Sequence, residues 1–315
     1  MIRTGTALFA LALAAAAMPA WAGALPVRTV TIKQDGGPNM LDIAYPQTGV
    51  KAIDTDLAAR VKTLRKLYAH DPKDTFTKQY SLDIGYDVAR NDKQMFVVVF
   101  GIDTYTGGAH PNHDIETFNY LLPGGARVYL PEIVGHDGIA HVSDLAIADL
   151  EQQNATNQFS DADWIANGAG PRESNLAAFA WLPDKLRLYF PPYRVAAYAA
   201  GGQEVDIPLA ELRGDIRADW RAPLPSFDCA KAQTDIERAL CNDTRLARLD
   251  RWVADEYARV LALRTDPKTK QQARQAQRAW LGTRNARCGD KNGAALTGCL
   301  RPVYAARLAA LKRTY

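Results

Sequence analysis

Cysteine is absent from the first 228 positions of the chain, and all four cysteines lie between Cys229 and Cys299. This distribution marks the C-terminal segment as a separate module. An even number of cysteines at paired spacings is typical of a disulfide framework, for which the sequence alone permits three connectivities. We expect the local pairs, Cys229 with Cys241 and Cys288 with Cys299, because each would join a helix end to the loop beside it.

Long apolar runs are also scarce. The main one, residues 7–17, follows Arg3 and precedes the small-residue sequence Ala20-Trp21-Ala22. A short positive segment, an apolar segment and an A-x-A site are the parts of a signal peptide, here residues 1–22 with cleavage after Ala22. No later segment is long and apolar enough for a transmembrane helix, so we expect no membrane span. The mature protein is therefore expected in the periplasm or outside the cell, where disulfides persist.

Short catalytic motifs are missing as well. The sequence contains no G-x-S-x-G, H-E-x-x-H, Walker or dinucleotide-binding signature. The pairs Asp114 with Glu116 and Asp161 with Asp163 have the residue types of glycosidase carboxylates, but such pairs are common in loops. Oxidised cysteines would not serve as nucleophiles. We therefore interpret the chain as a non-enzymatic protein without a cofactor.

The overall charge of +3 conceals a split along the chain. Residues 23–226 carry 19 Lys and Arg against 26 Asp and Glu, a net charge of −7, whereas residues 227–315 carry 18 against 9, a net charge of +9. An acidic part favours a cationic protein partner, and a basic part favours an anionic polymer or an acidic protein face. The alternative is that the two parts attract each other or that the charges are solvated. A nucleic-acid partner is not expected.

Four of the five histidines, among them His110, His113 and His136, fall within one short window. His110 and His113, completed by His136 or Asp137, are a candidate metal site. The spacing matches no standard zinc signature, and Pro111 argues against a helix at this point. We therefore interpret them as loop histidines and expect no bound metal.

Residues 23–222 show a mixture of strand and helix patterns. Helices are expected from a cap at Asp54 or Thr55 and over residues 142–150, whereas the polar segment 161–172 is expected to be a loop. Alternating or continuous apolar residues predict strands at 27–33, 80–88, 94–105, 115–122, 127–130, 176–182, 185–190 and 204–207. This order predicts an α+β domain with a largely antiparallel sheet.

After a short proline-containing linker at 223–226, residues 227–315 show a helical pattern. A capping box beginning at Thr234 and a cap at Asp243 or Thr244 predict two helix starts. Pro302 is expected in the first turn of the last helix, where the N–H groups have no intrahelical partner. The module is therefore predicted to be a small, disulfide-stapled all-α bundle.

The same module carries an ordered set of Cys, Trp and Arg positions. They are Phe227-Asp228-Cys229, Glu237, Cys241, Leu246-x-x-Leu249-Asp250, Tyr257, Gln277-Arg278-x-Trp280-Leu281, Arg284, Cys288, Cys299 and Arg307. This set resembles the LprI-type lysozyme-inhibitor domain. The resemblance implies a secreted, non-enzymatic helical domain, and some members of that family inhibit lysozyme.

Residues 25–213 carry a second set of motifs. They are Tyr105-Thr106-Gly107-Gly108-Ala109-His110-Pro111, Asn119-Tyr120, Leu188-Tyr189-Phe190, Tyr198-Ala199-Ala200-Gly201 and Glu204-Val205-x-Ile207-Pro208. They resemble the extracellular domain of RsiV-type anti-sigma factors and PdaC-type deacetylases. In RsiV-type proteins this domain binds lysozyme, and in the deacetylases it accompanies a separate catalytic domain. The sequence shows neither a sigma-binding segment nor a deacetylase domain, so neither signalling nor deacetylation is expected.

The candidate partner-binding residues are Tyr105, His110, Pro192, Tyr193 and Tyr198. Aromatic anchors within complementary charge give a protein interface both affinity and a fast on-rate. The alternative is that the tyrosines pack the sheet and the prolines block an edge. We expect a periplasmic protein that binds a lysozyme-like muramidase and protects peptidoglycan. The rival hypothesis is that the basic bundle binds peptidoglycan or its anionic fragments.

Overall fold

The computed structural model describes residues 23–75, 77–221 and 224–313. The predicted signal peptide, residues 1–22, lies outside these residues, as do residues 222 and 223 at the predicted linker. Within the described ranges, two sheets and three α-helices form the N-terminal part, and four α-helices form the C-terminal part. This is the α+β fold followed by a helical bundle that the sequence predicts.

Nine strands form the two sheets of the described N-terminal part. They are β1 (Arg28–Gln34), β2 (Asn39–Gln47), β3 (Tyr80–Asn91), β4 (Met95–Tyr105), β5 (Asn112–Leu121), β6 (Ala126–Val128), β7 (Phe179–Trp181), β8 (Lys185–Phe190) and β9 (Gln203–Pro208). The first six strands form one sheet in chain order, and the last three form a second. All neighbours are antiparallel except β2 and β3, which are parallel. The sequence patterns missed β2.

The helices are α1 (Lys51–Leu67), α2 (Leu130–Asn157), α3 (Ala162–Ala169), α4 (Asp235–Asn242), α5 (Thr244–Leu263), α6 (Pro267–Cys288) and α7 (Gly293–Lys312). Helix α1 lies in the connection between β2 and β3, because parallel strands need a crossover that a tight turn does not provide. Helix α2 is interrupted at Gly135, whose φ of 68° and ψ of −178° are not helical.

The central strands of the six-stranded sheet are buried on both faces. On β4, Met95 and Val97 belong to one hydrophobic core, and Phe96, Val98 and Phe100 belong to the other. Helix α2 and the small sheet complete the first core, whereas α1 completes the second. Because both faces of β4 are buried, its sequence is a continuous apolar run and does not alternate between apolar and polar residues.

Two side chains of β5 hydrogen-bond to the backbone of β7. Asn119 donates from Nδ2 to the carbonyl of Phe179 at 2.8 Å, and its Oδ1 accepts from the amide of Trp181 at 2.9 Å. Thr117 Oγ1 accepts from the amide of Phe179 at 2.8 Å. Since β7 is an edge strand of the small sheet, these side chains satisfy backbone groups that strand pairing leaves open.

The first two helices begin earlier than predicted. Helix α1 begins at Lys51, and Asp54 lies in its first turn instead of capping it. The Asp54 carboxylate accepts hydrogen bonds from the amides of Thr48 and Gly49, which fixes the chain entering the helix. Helix α2 begins at Leu130, with a proline in its first turn. The proline is compatible with this position because the first helical N–H groups need no intrahelical partner.

The segment 161–172 was predicted as a loop, and this was wrong because it contains α3. Asp161 caps the helix by accepting from the amide of Trp164 at 2.7 Å. Ile165 and Ala169, four residues apart, are buried on its inner side. A two-turn helix buries so few side chains that its polar outer face dominates the composition.

The C-terminal part packs α4, α5 and α7 around one hydrophobic core that includes Leu246, Leu300 and Tyr304. The predicted caps are confirmed, with a capping box at Thr234 and with Asp243 as the N-cap of α5. The prediction that Pro302 lies in the first turn of the last helix was wrong, since α7 begins at Gly293. Pro302 has no N–H, so one helical hydrogen bond is lost. The helix continues because residues before and after Pro302 remain packed in the core.

The structure joins Cys229 to Cys241 and Cys288 to Cys299, the local pairs expected from the sequence. We expect the double substitution Cys288→Ser/Cys299→Ser to lower the free energy of unfolding of the C-terminal part by about 3 kcal/mol, since a short disulfide-closed loop restricts the unfolded chain by that amount. Urea unfolding followed by far-UV circular dichroism measures the loss. The Cys229–Cys241 pair closes a loop of similar length and serves as the comparison. A loss below about 1 kcal/mol for both pairs would contradict the expectation.

Candidate functional site

Three rings from two loops form a cluster on the surface of the N-terminal part. The rings of His110 and Tyr198 stack with centroids 4.1 Å apart, and the ring of Tyr193 lies 5.4 Å from that of Tyr198. His113 extends the group, with its ring 5.9 Å from Tyr198. Tyr193 is 53% exposed, so the cluster presents aromatic surface to the solvent. We call His110, Tyr193 and Tyr198 the aromatic cluster.

Hydrogen bonds orient the rings of the aromatic cluster. His110 Nδ1 lies 2.8 Å from the carbonyl of Pro111, to which it can only donate. The hydroxyl of Tyr193 lies 3.4 Å from His110 Nε2. The hydroxyl of Tyr198 donates to the Pro111 carbonyl at 3.3 Å. The polar ends of His110 and Tyr198 therefore meet at the Pro111 carbonyl, and Tyr193 is the member that remains available for contact.

The loop that carries His110 depends on glycine. Gly107 and Gly108 have φ values of 96° and 118°, which side chains strongly disfavour. A Cβ on Gly107 would also lie 2.4 Å from Thr77 Oγ1. Tyr105 secures the base of the loop, since its hydroxyl donates to the Gly108 carbonyl at 3.2 Å. Tyr105 therefore acts as a support for the loop, beside the aromatic cluster.

Helix α3 supports the loop that carries Tyr193. The carbonyl of Arg194 approaches Gly168 so closely that a Cβ there would lie 2.0 Å from the oxygen. The indole Nε1 of Trp164 donates to the Tyr193 carbonyl at 3.2 Å. Pro192, half-buried, precedes Tyr193, which adopts a left-handed φ of 68°. Such a conformation is costly for tyrosine and is maintained by these surrounding contacts.

Acidic groups lie beside the aromatic cluster. Asp103 is exposed, and Asp83, its partner across β3 and β4, is half-buried. His113 Nδ1 contacts Asp103, its direct partner across the β4 and β5 pairing. The cluster therefore combines aromatic surface with negative charge, in keeping with the net charge of −7 over residues 23–226.

Two of the carboxylates that the sequence singles out have structural partners. Glu116, one of the predicted carboxylates, is held in an ion pair with Arg60, and Asp161 is the cap of α3. The described ranges contain no group of three or more His, Cys, Asp or Glu that could hold a metal ion. The side chain of His136, named in the candidate metal site, lies outside what the structure describes. His141 is instead paired with Asp215 at 2.8 Å.

A second polar site lies where the N-terminal and C-terminal parts meet. Arg248 on α5 is 7% exposed and donates to the Arg127 carbonyl at 2.8 Å. Its Nε lies 3.8 Å from Glu132 Oε1, which makes an ion pair that is longer than a hydrogen bond. Burial raises the pKa of Glu132 to about 7 against the opposing effect of Arg248, and burial lowers the pKa of Arg248.

Other ion pairs and ring contacts extend this junction. Arg217 pairs with Asp255 at 2.7 Å, and Lys312 pairs with Glu173. The ammonium of Lys312 also lies 4.3 Å from the ring centre of Trp252. A cavity of about 30 Å³ lies within the junction, between α2 and α5. Its size leaves room for no organic ligand.

Comparisons with known proteins identify both parts of the chain. Residues 132–210 match the model of DUF3298, a protein family of unknown function, and residues 228–312 match the model of the lysozyme inhibitor LprI. The chain therefore contains a DUF3298 domain followed by an LprI lysozyme-inhibitor domain. The DUF3298 match includes Pro192, Tyr193 and Tyr198. It begins at residue 132, so it does not include the loop of Tyr105 and His110.

One curated relative is the peptidoglycan-N-acetylmuramic acid deacetylase PdaC of Bacillus subtilis (strain 168), which is 24% identical over 246 residues. The match covers 76% of this chain and 51% of the relative, so the chain spans about half the length of the curated relative that it matches. Together with the two family matches, it confirms the resemblance to LprI-type and PdaC-type domains.

Two solved structures have a partial likeness to the chain. A DUF3298 family protein from Pseudomonas aeruginosa PAO1 has a TM-score of 0.49 and 15% identity, covering 62% of this chain and 96% of that chain. A member of the same family from Bacteroides fragilis NCTC 9343 has a TM-score of 0.43 and 17% identity, covering 62% of this chain and 95% of that chain.

In the described residues, none of the helices has the length and apolar character needed to cross a membrane. The predicted partner-binding residues His110, Tyr193 and Tyr198 lie together. Tyr105 supports the loop of His110, and Pro192 directly precedes Tyr193 in the chain. Sequence reasoning missed Trp164 and Gly168, because it treated their segment as a loop. The Asp161 cap and the apolar pair Ile165 and Ala169 were the signals that indicated a helix there.

Proposed function

We propose that the protein is an exported inhibitor that binds a lysozyme-like muramidase and protects peptidoglycan. The observation that carries the proposal is the match of the disulfide-stapled bundle, residues 228–312, to the lysozyme inhibitor LprI. The exposed aromatic cluster in acidic surroundings supports it, since a cationic enzyme would be attracted to that face. The two disulfides agree with a periplasmic or secreted location.

The proposed mechanism is steric and requires no covalent chemistry from this chain. Acidic groups beside the aromatic cluster attract the enzyme, and the half-exposed ring of Tyr193 anchors the contact. An aromatic anchor of this kind buries a large area at a small cost in side-chain entropy. The loop would then cover the substrate cleft of the enzyme. Because the loop is fixed by glycine geometry and by α3, little ordering would be needed on binding.

We expect Tyr193→Ala to weaken binding to C-type lysozyme by about 30-fold, the effect of losing an anchor worth about 2 kcal/mol. Isothermal titration calorimetry of residues 23–315 against the enzyme measures the change. Tyr86→Ala is the matched control, because Tyr86 is a half-buried tyrosine in the middle of β3 that hydrogen-bonds to Thr29. Equal affinities for the two variants would show that the aromatic cluster does not face the enzyme.

A second candidate function is binding to peptidoglycan without inhibition. The observation that favours it is the similarity to a deacetylase whose name gives peptidoglycan as its substrate. On this alternative, the chain would bind cell-wall polymer equally well with and without the aromatic cluster. Titration of the Tyr193→Ala variant with cell-wall fragments distinguishes the two functions. A variant that loses binding to lysozyme but keeps its binding to the fragments supports the inhibitor.

A further inference from the structure

Helix α6 has an unusual charge composition. Its 22 residues include no Asp or Glu. The helix carries six cations, which are Lys268, Lys270, Arg274, Arg278, Arg284 and Arg287. Soluble helices normally mix both signs, so that neighbouring charges attract one another. The positive charge of α6 is therefore not balanced within the helix itself.

Three of these cations follow one side of the helix at steps of four residues. We call Lys270, Arg274 and Arg278 the basic row. Arg274 and Arg278 are exposed, and Lys270 is half-buried. Among the described residues, the side chains of the basic row make no ion pair within 4.0 Å and no hydrogen bond with another side chain. Other cations of the C-terminal part do pair, as Arg301 does with Asp243 at 2.6 Å.

The basic row opposes the stability of the helix that carries it. Like charges four residues apart repel each other on a helix surface. Lys268 and Lys270 also lie in the first turn, where the helix dipole disfavours positive charge. Cys288 is the one fully buried side chain of α6, so packing against the bundle does not require these cations. An unfavourable charge pattern without an internal partner indicates an external anion.

The charge also limits the kind of partner. The acidic N-terminal part favours cations and α6 favours anions, so these two faces fit ligands of opposite charge. Arginine binds carboxylates through paired N–H groups. The three exposed glutamines of α6, at positions 271, 272 and 275, add amide donors and acceptors of the type that bind sugar hydroxyls. The combination fits a polymer that carries both carboxylates and sugars.

We propose that the basic row of α6 binds the carboxylate groups of cell-wall peptidoglycan. The inference rests on the proposed export of the protein, but it is independent of lysozyme inhibition. Binding along a polymer would hold the protein on the substrate of the muramidase and raise its local concentration there. The aromatic cluster and the basic row are then two separate sites with ligands of opposite charge.

The test is sedimentation of residues 23–315 with purified peptidoglycan sacculi at about 0.01 M and about 1 M salt, between which the Debye length falls from about 30 Å to about 3 Å. We expect sedimentation at low salt and its loss at high salt. The triple variant Lys270→Gln/Arg274→Gln/Arg278→Gln is expected to bind at least about tenfold more weakly, since each exposed ion pair contributes a small part. Equal sedimentation of the variant and the unmodified protein would overturn the proposal.

The matched control is Lys62→Gln/Arg65→Gln/Lys66→Gln, which removes three exposed positive charges from α1 in the N-terminal part. This control is expected to sediment like the unmodified protein, and far-UV circular dichroism checks that both triple variants keep their helices. Equal losses in the two variants would show that net charge, and not the basic row, controls binding, and would overturn the proposal.

Two further ligands identify the anion. Sacculi with amidated carboxylates are expected not to bind, and tight binding to them would contradict recognition of carboxylates. Vesicles of phosphatidylglycerol are expected to bind more weakly than sacculi, and the opposite order would assign the row to a lipid surface. Inhibition of lysozyme on a short soluble substrate should be unchanged in the basic-row variant, so failure of either proposal can be recognised separately.

Discussion

Replacing Arg248 by alanine is expected to lower the free energy of unfolding by about 3–5 kcal/mol, the usual cost of removing one partner from a buried ion pair. The substitution removes the positive charge that acts most strongly on Glu132, whose side chain is 10% exposed, in the junction between the two parts. It also removes the hydrogen bond to the Arg127 carbonyl, which lies in the other part. Chemical unfolding followed by tryptophan fluorescence measures the loss.

Arg245→Ala is the control for this prediction, because Arg245 lies on the same helix and is exposed. Its substitution should change stability by less than about 0.5 kcal/mol. The double variant Arg248→Met/Glu132→Gln should recover much of the loss, since it leaves neither charge alone in the junction. A loss below about 1 kcal/mol for Arg248→Ala, or no recovery in the double variant, would show that the pair does not connect the two parts.

Replacing Asn119 by alanine is expected to cost about 2–6 kcal/mol, because two buried backbone groups of β7 lose their partners at about 1–3 kcal/mol each. Asn119 is 1% exposed, so solvent does not reach these groups to replace it. The carbonyl of Phe179 and the amide of Trp181 are the groups affected. Urea denaturation of the purified variant gives the change in free energy.

Asn119→Leu separates the loss of hydrogen bonds from the loss of volume. Leucine fills the same space but neither donates nor accepts, so this variant should be destabilised as strongly as Asn119→Ala. Asn112→Ala is the control on the same strand, because Asn112 is exposed. If Asn119→Leu were as stable as the unmodified protein, packing and not hydrogen bonding would hold β5 against β7.

The fold was predictable from sequence where local pattern and local structure agree. The β3 and β4 hairpin, the capping box at Thr234 and the two disulfides each depend on residues close together in the chain. Strand β2 was missed because its pairing with β3 is parallel and α1 lies between them, so no adjacent turn signals it. Helix α3 was missed because it is short and buries residues on one side only, so most of its sequence is polar like that of a loop.

The candidate site was predictable only in part, for a related reason. Glycines and aromatic residues indicated the loops of His110 and Tyr198, but nothing local showed that their rings stack. The junction was not predictable at all, since Arg248 and Glu132 are far apart in sequence and look like ordinary surface residues of two helices. Their burial follows from how the two parts pack, which the linear pattern does not record.

The muramidase rate of C-type lysozyme on a soluble cell-wall substrate, measured against increasing amounts of residues 23–315, tests the central claim most directly. A lysozyme inhibitor should remove the activity at close to one equivalent, and Tyr193→Ala should require a concentration about 30-fold higher. A rate that stays unchanged at low ionic strength with excess protein would contradict inhibition of this enzyme.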